Sequence, residues 1–140
     1  MKRILFILLL TIPFIGFGQN RYHIDKVTSP NDTLTYLKKD MSLLNGNVYC
    51  EIGEMGKYVN GKKEGLWKSW YENGQLKNKG NWKNDRRDGQ RIEYYKNSQV
   101  KEEVFHRNGI PTGKWVYYNP DGTISKEIFY KEGQLVETKE

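Results

Sequence analysis

The side chains in this chain able to carry catalysis or hold a metal are few: His23, His106, Cys50 and a scatter of carboxylates. A protein metal site gathers three or four ligands and usually announces itself as an HxxxH or CxxC spacing. Two isolated histidines and one cysteine supply neither. A nucleophile needs a base beside it, and Cys50 has no identifiable one; there is also no GxSxG elbow and no glycine-rich phosphate loop. Glu102 and Glu103 are consecutive, so in a strand they point to opposite faces and cannot converge as an acid/base couple. No catalytic residue, metal ligand or cofactor site is assigned, and an enzyme is not expected.

The chemistry that the composition does favour is recognition. The chain holds 4 Trp and 10 Tyr, many of them in phrases such as "GLWKSWYENGQL" (65–76). Trp67, Tyr71, Tyr95, Trp115 and Tyr117 fall on the opposite side of their segments from Trp70, Tyr94 and Tyr118. With Arg91, Arg87 and Arg107 nearby, they have the composition of a protein interface. The candidate binding face is therefore Trp67, Tyr71, Arg91, Tyr95, Trp115 and Tyr117.

Such a face needs a frame, and the frame repeats. A shift of 24 residues lays Gly65 over Gly89 and Gly113, Trp70 over Tyr94 and Tyr118, and Leu76 over Val100 and Ile124. Gly61, Asp85, Gly109 and Gly133 share one column, and Trp82, His106 and Tyr130 share another. Each period contains two short aromatic or β-branched segments separated by turn residues, which predicts strands rather than helices. Asn73-Gly74 and Asp121-Gly122 predict tight turns within units, and Asn60-Gly61 and Asn108-Gly109 predict them between units. One unit is a β-hairpin that cannot bury its apolar side alone, so the phrase recurs because each copy packs against the next. The expected fold is all-β: an elongated open meander of hairpins, a single twisted layer growing by about 10 Å per unit. The second unit departs from the pattern, with Asp85 for glycine, Arg91 for tryptophan and Ser98 for Gly74 and Gly122. Its turns are expected to be looser and one face more polar.

The opening "MKRILFILLLTIPFIGFGQN" places Lys2 and Arg3 before an apolar run, Ile4 to Phe17, that is shorter than the roughly 20 residues of a membrane span. It reads as a signal peptide, residues 1–18, cut near Gly18-Gln19, and predicts a periplasmic or secreted protein. Loss of Lys2 and Arg3 takes the formal charge from +6 to +4, with the charges interspersed. Nucleic acid is not expected as a partner, and membrane binding after cleavage is not favoured. Residues 19–32 read as a leader or edge strand. Residues 33–140 read as the repeat domain: a degenerate capping unit 33–57, units 58–81, 82–105 and 106–129, and a partial unit 130–140.

With this period and the pattern "NGKKEGLWKSWYENGQLKNKGNW" (60–82), the chain resembles the variant MORN repeat family, found in bacterial secreted proteins and in a related family of antitoxins. The matching residues include Tyr58, Gly61, Gly65, Trp67, Trp70, Tyr71, Gly74, Leu76 and Gly80. Further on they include Gly89, Tyr94, Tyr95, Val100, Gly109, Gly113, Trp115, Tyr117, Tyr118, Gly122 and Ile124. The resemblance implies hairpins used for binding or scaffolding, with no catalytic residues to carry across. The function expected is a protein-binding or scaffolding module acting on a protein or cell-envelope component. Toxin neutralisation is the alternative, and sugar stacking on Trp67 and Trp115 as a cell-wall glycan module is the third.

Overall fold

The computed structural model describes residues 20–30 and 32–140; the expected signal peptide lies outside the described residues. One open sheet holds most of the chain. It begins at β1 (Arg21–His23), paired parallel with β4 (Gly46–Tyr49). Between them come a 3-10 turn (Ile24–Lys26), β2 (Val27–Thr28) and β3 (Tyr36–Leu37), the last two forming a separate ribbon. The sheet continues through β5 (Glu54–Val59), β6 (Lys62–Trp70), β7 (Leu76–Lys83), β8 (Arg86–Tyr94), β9 (Val100–Arg107), β11 (Gly113–Tyr118), β12 (Ile124–Lys131) and β13 (Gln134–Lys139). Each strand is antiparallel to the one before it. The short β10 (Ile110–Pro111) pairs with β9 just ahead of β11. No α-helix occurs among the described residues.

Two kinds of turn alternate, and their chemistry explains the period. Between units, Val59 pairs with Lys62 and Lys83 with Arg86, leaving two-residue loops with positive φ at both positions: Asn60 at 50° and Gly61 at 74°, Asn84 at 52° and Asp85 at 64°. That is type I′ geometry, whose twist matches the flanking strands. Within units the loop has three residues. The Gly74 N–H donates to the Tyr71 carbonyl and the Tyr71 N–H to that of Gln75, while the Asn73 side chain accepts from the Gln75 N–H. Only the third loop residue needs a positive φ, which is 86° at Gly74.

The second unit's turns are not looser. Asp85 and Ser98 adopt the conformations of the glycines they replace, with Ser98 at φ 66°. The Ser98 and Tyr95 bonds, at 3.0 and 2.8 Å, match the 2.9 and 2.8 Å of the first unit. Asp85 adds a bond that glycine lacks, its carboxylate accepting the Lys63 N–H at 2.9 Å. Ser98 gains nothing comparable for its left-handed backbone. Ser98→Gly is therefore expected to stabilise the fold by roughly 0.5–1 kcal/mol, read as a higher urea midpoint at unchanged slope.

Successive units are bolted together at both ends. At the two-residue turns, the N–H of Asp85, Gly109 and Gly133 donates to the carbonyl of Lys63, Arg87 and Pro111 respectively. At the three-residue turns, the Tyr71 hydroxyl donates to the Tyr94 carbonyl and the Tyr95 hydroxyl to that of Tyr118, both at 2.7 Å.

The core lies at the N-terminal end. Leu37, Leu44, Val48, Tyr58 and Trp67 form its buried cluster, flanked by Tyr22, Ile24, Val27, Met55 and Trp82. Residues 20–30 and 32–45 thus fold back over the first strands. The Thr35 N–H donates to the Gly61 carbonyl and the Gly61 N–H to that of Leu44, both at 2.8 Å. Within the expected capping unit 33–57 the strands before β5 are short, Tyr36–Leu37 and Gly46–Tyr49. The segment around Leu37 and Leu44 spends its backbone groups on docking to the first turn, so it cannot extend the sheet.

Candidate binding face

One face of the sheet carries two interleaved columns spaced by the repeat. The first column is Tyr58, Trp82, His106 and Tyr130; the second is Trp67, Arg91 and Trp115. Members of the second column sit between members of the first. Tyr58 meets Trp67 edge-on at 4.8 Å between ring centres, and Trp115 lies 5.1 Å from His106 and 4.6 Å from Tyr130. Such tilted or edge-on pairs are favoured by the ring quadrupole. The indole N–H groups are satisfied identically 48 residues apart: Trp67 Nε1 donates to the Lys57 carbonyl at 3.2 Å, Trp115 Nε1 to that of Phe105 at 2.9 Å.

Cations complete the ladder where rings are missing. Lys63 Nζ lies 5.0 Å from the Trp67 ring and 4.6 Å from that of Trp82, and the Arg87 guanidinium lies 4.7 Å from Trp82 on its own account. These are cation–π distances. Arg91, in place of a third tryptophan, pairs instead with Glu93 and Glu102. All three side chains are only 16–18% exposed, and Lys101 closes the group at 2.9 Å from Glu93. Burial by itself would raise the Glu93 carboxyl, but hydrogen bonds and charge from Lys101 and Arg91 outweigh it and hold the group below its ordinary value. Burial pushes the His106 imidazole below its ordinary value, and the nearby Arg87 and Arg91 charges push the same way. The neutral ring serves as a rung.

The six residues singled out from sequence divide into three groups. Trp67 is 8% exposed and belongs to the core, because residues 20–30 and 32–45 cover that end of the ladder and its ring lies against Gly56; this corrects its assignment to a binding surface. Tyr71 and Tyr95 hold neighbouring units through their hydroxyls, and Arg91 is neutralised by its two carboxylates. The face is accordingly less basic than the count of arginines implies. Trp115 and Tyr117 lie beyond the reach of the N-terminal cap, on the part of the ladder shared with Tyr130. Tyr95→Phe is expected to cost about 1 kcal/mol through loss of one hydrogen bond, measured by urea denaturation, with no change in the position of its ring.

Residues that spacing did not bring forward are Lys63 and Ser69. Lys63 is half-buried, and burial lowers its ammonium below the ordinary value. Cys50 is a free, partly buried thiol at the β4–β5 turn, 3.6 Å from the Gly53 carbonyl. Among the described residues, no three His, Cys, Asp or Glu side chains gather as a metal site.

The turn-to-turn hairpins coincide with what comparison with known families finds. Residues 63–84, 87–108 and 111–138 match the MORN repeat variant, one match for each of β6–β7 and β8–β9 and a third running from the β10 end of the sheet into β13. No curated protein matches the chain. The three matches together cover just over half of the sequence, and the chain belongs to the MORN repeat variant family.

Proposed function

We propose that this chain is an exported, non-enzymatic module that binds a protein partner on the uncovered stretch of its aromatic ladder, around Trp115, Tyr117 and Tyr130. MORN repeats are generally protein- or membrane-binding modules. The observation that carries the reading is the unequal covering of one continuous ladder: the Tyr58–Trp67 end is closed by the chain's own residues 20–30 and 32–45, and the Trp115–Tyr130 end is not. A partner would do there what the cap does at the other end. Aromatic anchors of this kind dominate interface energies. A lipid surface fits less well, because Arg91 is already neutralised by Glu93 and Glu102 and Lys114 by Glu127.

The test is affinity capture of partners from envelope and secreted fractions of the source cell, comparing the wild-type chain with Trp115→Ala, Tyr117→Ala and with Phe105→Ala. The Phe105 change is a control on the opposite side of β9, next to Val104. One protein held by the wild type and by the control, with affinity reduced about 30-fold or more in the double variant at an unchanged circular dichroism spectrum, is the expected result. Equal retention by the double variant would overturn the reading. The identity of the captured protein separates a toxin from an envelope component.

A further inference from the structure

A cavity of about 300 Å³ opens where the N-terminal cap meets the ladder, lined among others by Met55, Lys63, Ser69, Asn78, Trp82 and Arg87. Its polar lining has one sign. Lys63 and Arg87 contribute two cations, and no carboxylate of the described residues lines it. Ser69 Oγ is buried without a hydrogen-bond partner. Neither Lys63 nor Arg87 forms an ion pair with a described residue; both are held over the Trp82 ring.

The carboxylates that act on these cations from nearby are engaged elsewhere. Asp85 accepts the Lys63 backbone N–H, and Glu93 and Glu102 are bonded to Arg91. A part-buried cation that lacks an ion pair, in a cavity open to a ligand, is an arrangement that a bound anion would relieve. The rest of the lining is mainly apolar and aromatic, with Ile24, Met55, Tyr58, Trp67 and Trp82. The volume is at the small end of the range for ligand sites.

We propose that this cavity binds a small organic carboxylate with a flat apolar body, the carboxylate held by Lys63 and Arg87 beside Trp82 and the body lying along the apolar part of the lining. The site does not rest on the partner-binding reading above, since it lies at the capped end of the ladder and Trp115 and Tyr117 are not part of it. A free aryl acid and the C-terminal phenylalanine of a peptide present the same chemistry.

The test follows the indole N–H signals of the folded full chain by two-dimensional NMR during titration with 3-phenylpropionate, its amide, acetyl-Gly-Gly-Phe and inorganic phosphate. The Trp82 signal is expected to shift saturably with the acid, with a Kd of about 1 mM or tighter for a ligand of this size, while Trp115 stays in place. The amide is expected to bind at least tenfold more weakly, as is the acid to Lys63→Met or Arg87→Gln. Tighter binding of the peptide than of the free acid assigns the ligand to a chain terminus, and the reverse assigns it to a free acid. The proposal is overturned if no saturable shift appears by about 10 mM, if the amide binds as well as the acid, or if phosphate binds as tightly as either carboxylate. The amide comparison uses the wild-type chain, so it decides the matter even where a variant unfolds.

Discussion

Trp67→Ala is expected to lower the stability of the chain by about 3–5 kcal/mol, the largest effect of any single truncation in the sheet. A domain of this size is stabilised by only about 5–15 kcal/mol in total, so the variant is expected to lie close to unfolding at 37 °C. The reason is the number of elements that meet at this one ring. It meets Tyr58 of β5 edge-on, lies against the backbone of Gly56, donates to the Lys57 carbonyl and shares one buried cluster with the cap residues Leu37 and Leu44. A Cβ on Gly56 would sit 2.4 Å from the indole, well inside contact distance, so there is no slack by which neighbours could refill the space. Loss of the ring also frees the cap. Limited proteolysis of the variant is expected to cut within residues 20–45 before it cuts the later hairpins, and urea denaturation to show the lowered midpoint. Wild-type stability in Trp67→Ala would mean that the cap does not depend on the ladder.

Arg91→Met is expected to cost about 2–3 kcal/mol at pH 7, a figure below that of a fully buried pair because the group retains some exposure, and to reverse the sign of the acid response. In the native chain Glu93 has a carboxyl held below its ordinary value of 4.5. Its contribution is therefore complete above that value and disappears as the pH falls through the lower, folded one. Removing Arg91 leaves Glu93 and Glu102 directly opposite one another on β8 and β9, with Lys101 as the only cation bonded to either among the described residues. Two partly buried carboxylates facing each other favour the protonated form. The variant should then gain stability as the pH is lowered from 7 toward 5, where the wild type stays level. Methionine keeps the apolar stem of the side chain, so the effect isolates the charge. Urea midpoints at both pH values measure it, and parallel pH curves for the two proteins would show that Arg91 is not what holds the two acids together.

The repeat and the all-β sheet were legible because they rest on local chemistry. Asn60-Gly61 and Asn108-Gly109 can adopt two successive positive φ angles, and a hydrophobic column every 24 residues survives any choice of ligand. Other features depend on residues distant in sequence. Nothing in "DTLTYLKKDMSLLNG" announces that Leu37 and Leu44 will join Trp67, more than 20 positions away, in one buried cluster, so Trp67 and Trp115 looked equivalent although one is core and the other lies past the cap. Arg91 looked like a free surface cation because Glu93 and Glu102 become its partners only once β8 and β9 pair. Asp85 and Ser98 looked like weak points in the second unit. A hairpin held at both ends by its neighbours imposes its backbone on them instead, and Asp85 returns a bond to Lys63. Lys63 escaped notice for a related reason: one lysine among many on paper, it is set apart by the two indoles that it lies over.

The central claim is that one aromatic ladder runs through the sheet, closed by the chain itself at the Trp67 end and open at the Trp115 end. It is tested most directly by labelling the chain with 5-fluorotryptophan, assigning the four fluorine signals by Trp→Phe variants, and measuring their relaxation in the presence of a soluble gadolinium chelate. The account predicts strong enhancement at Trp115 and the weakest of the four at Trp67, with enhancement at Trp115 independent of protein concentration. Equal shielding of Trp115 and Trp67 in dilute solution would contradict it.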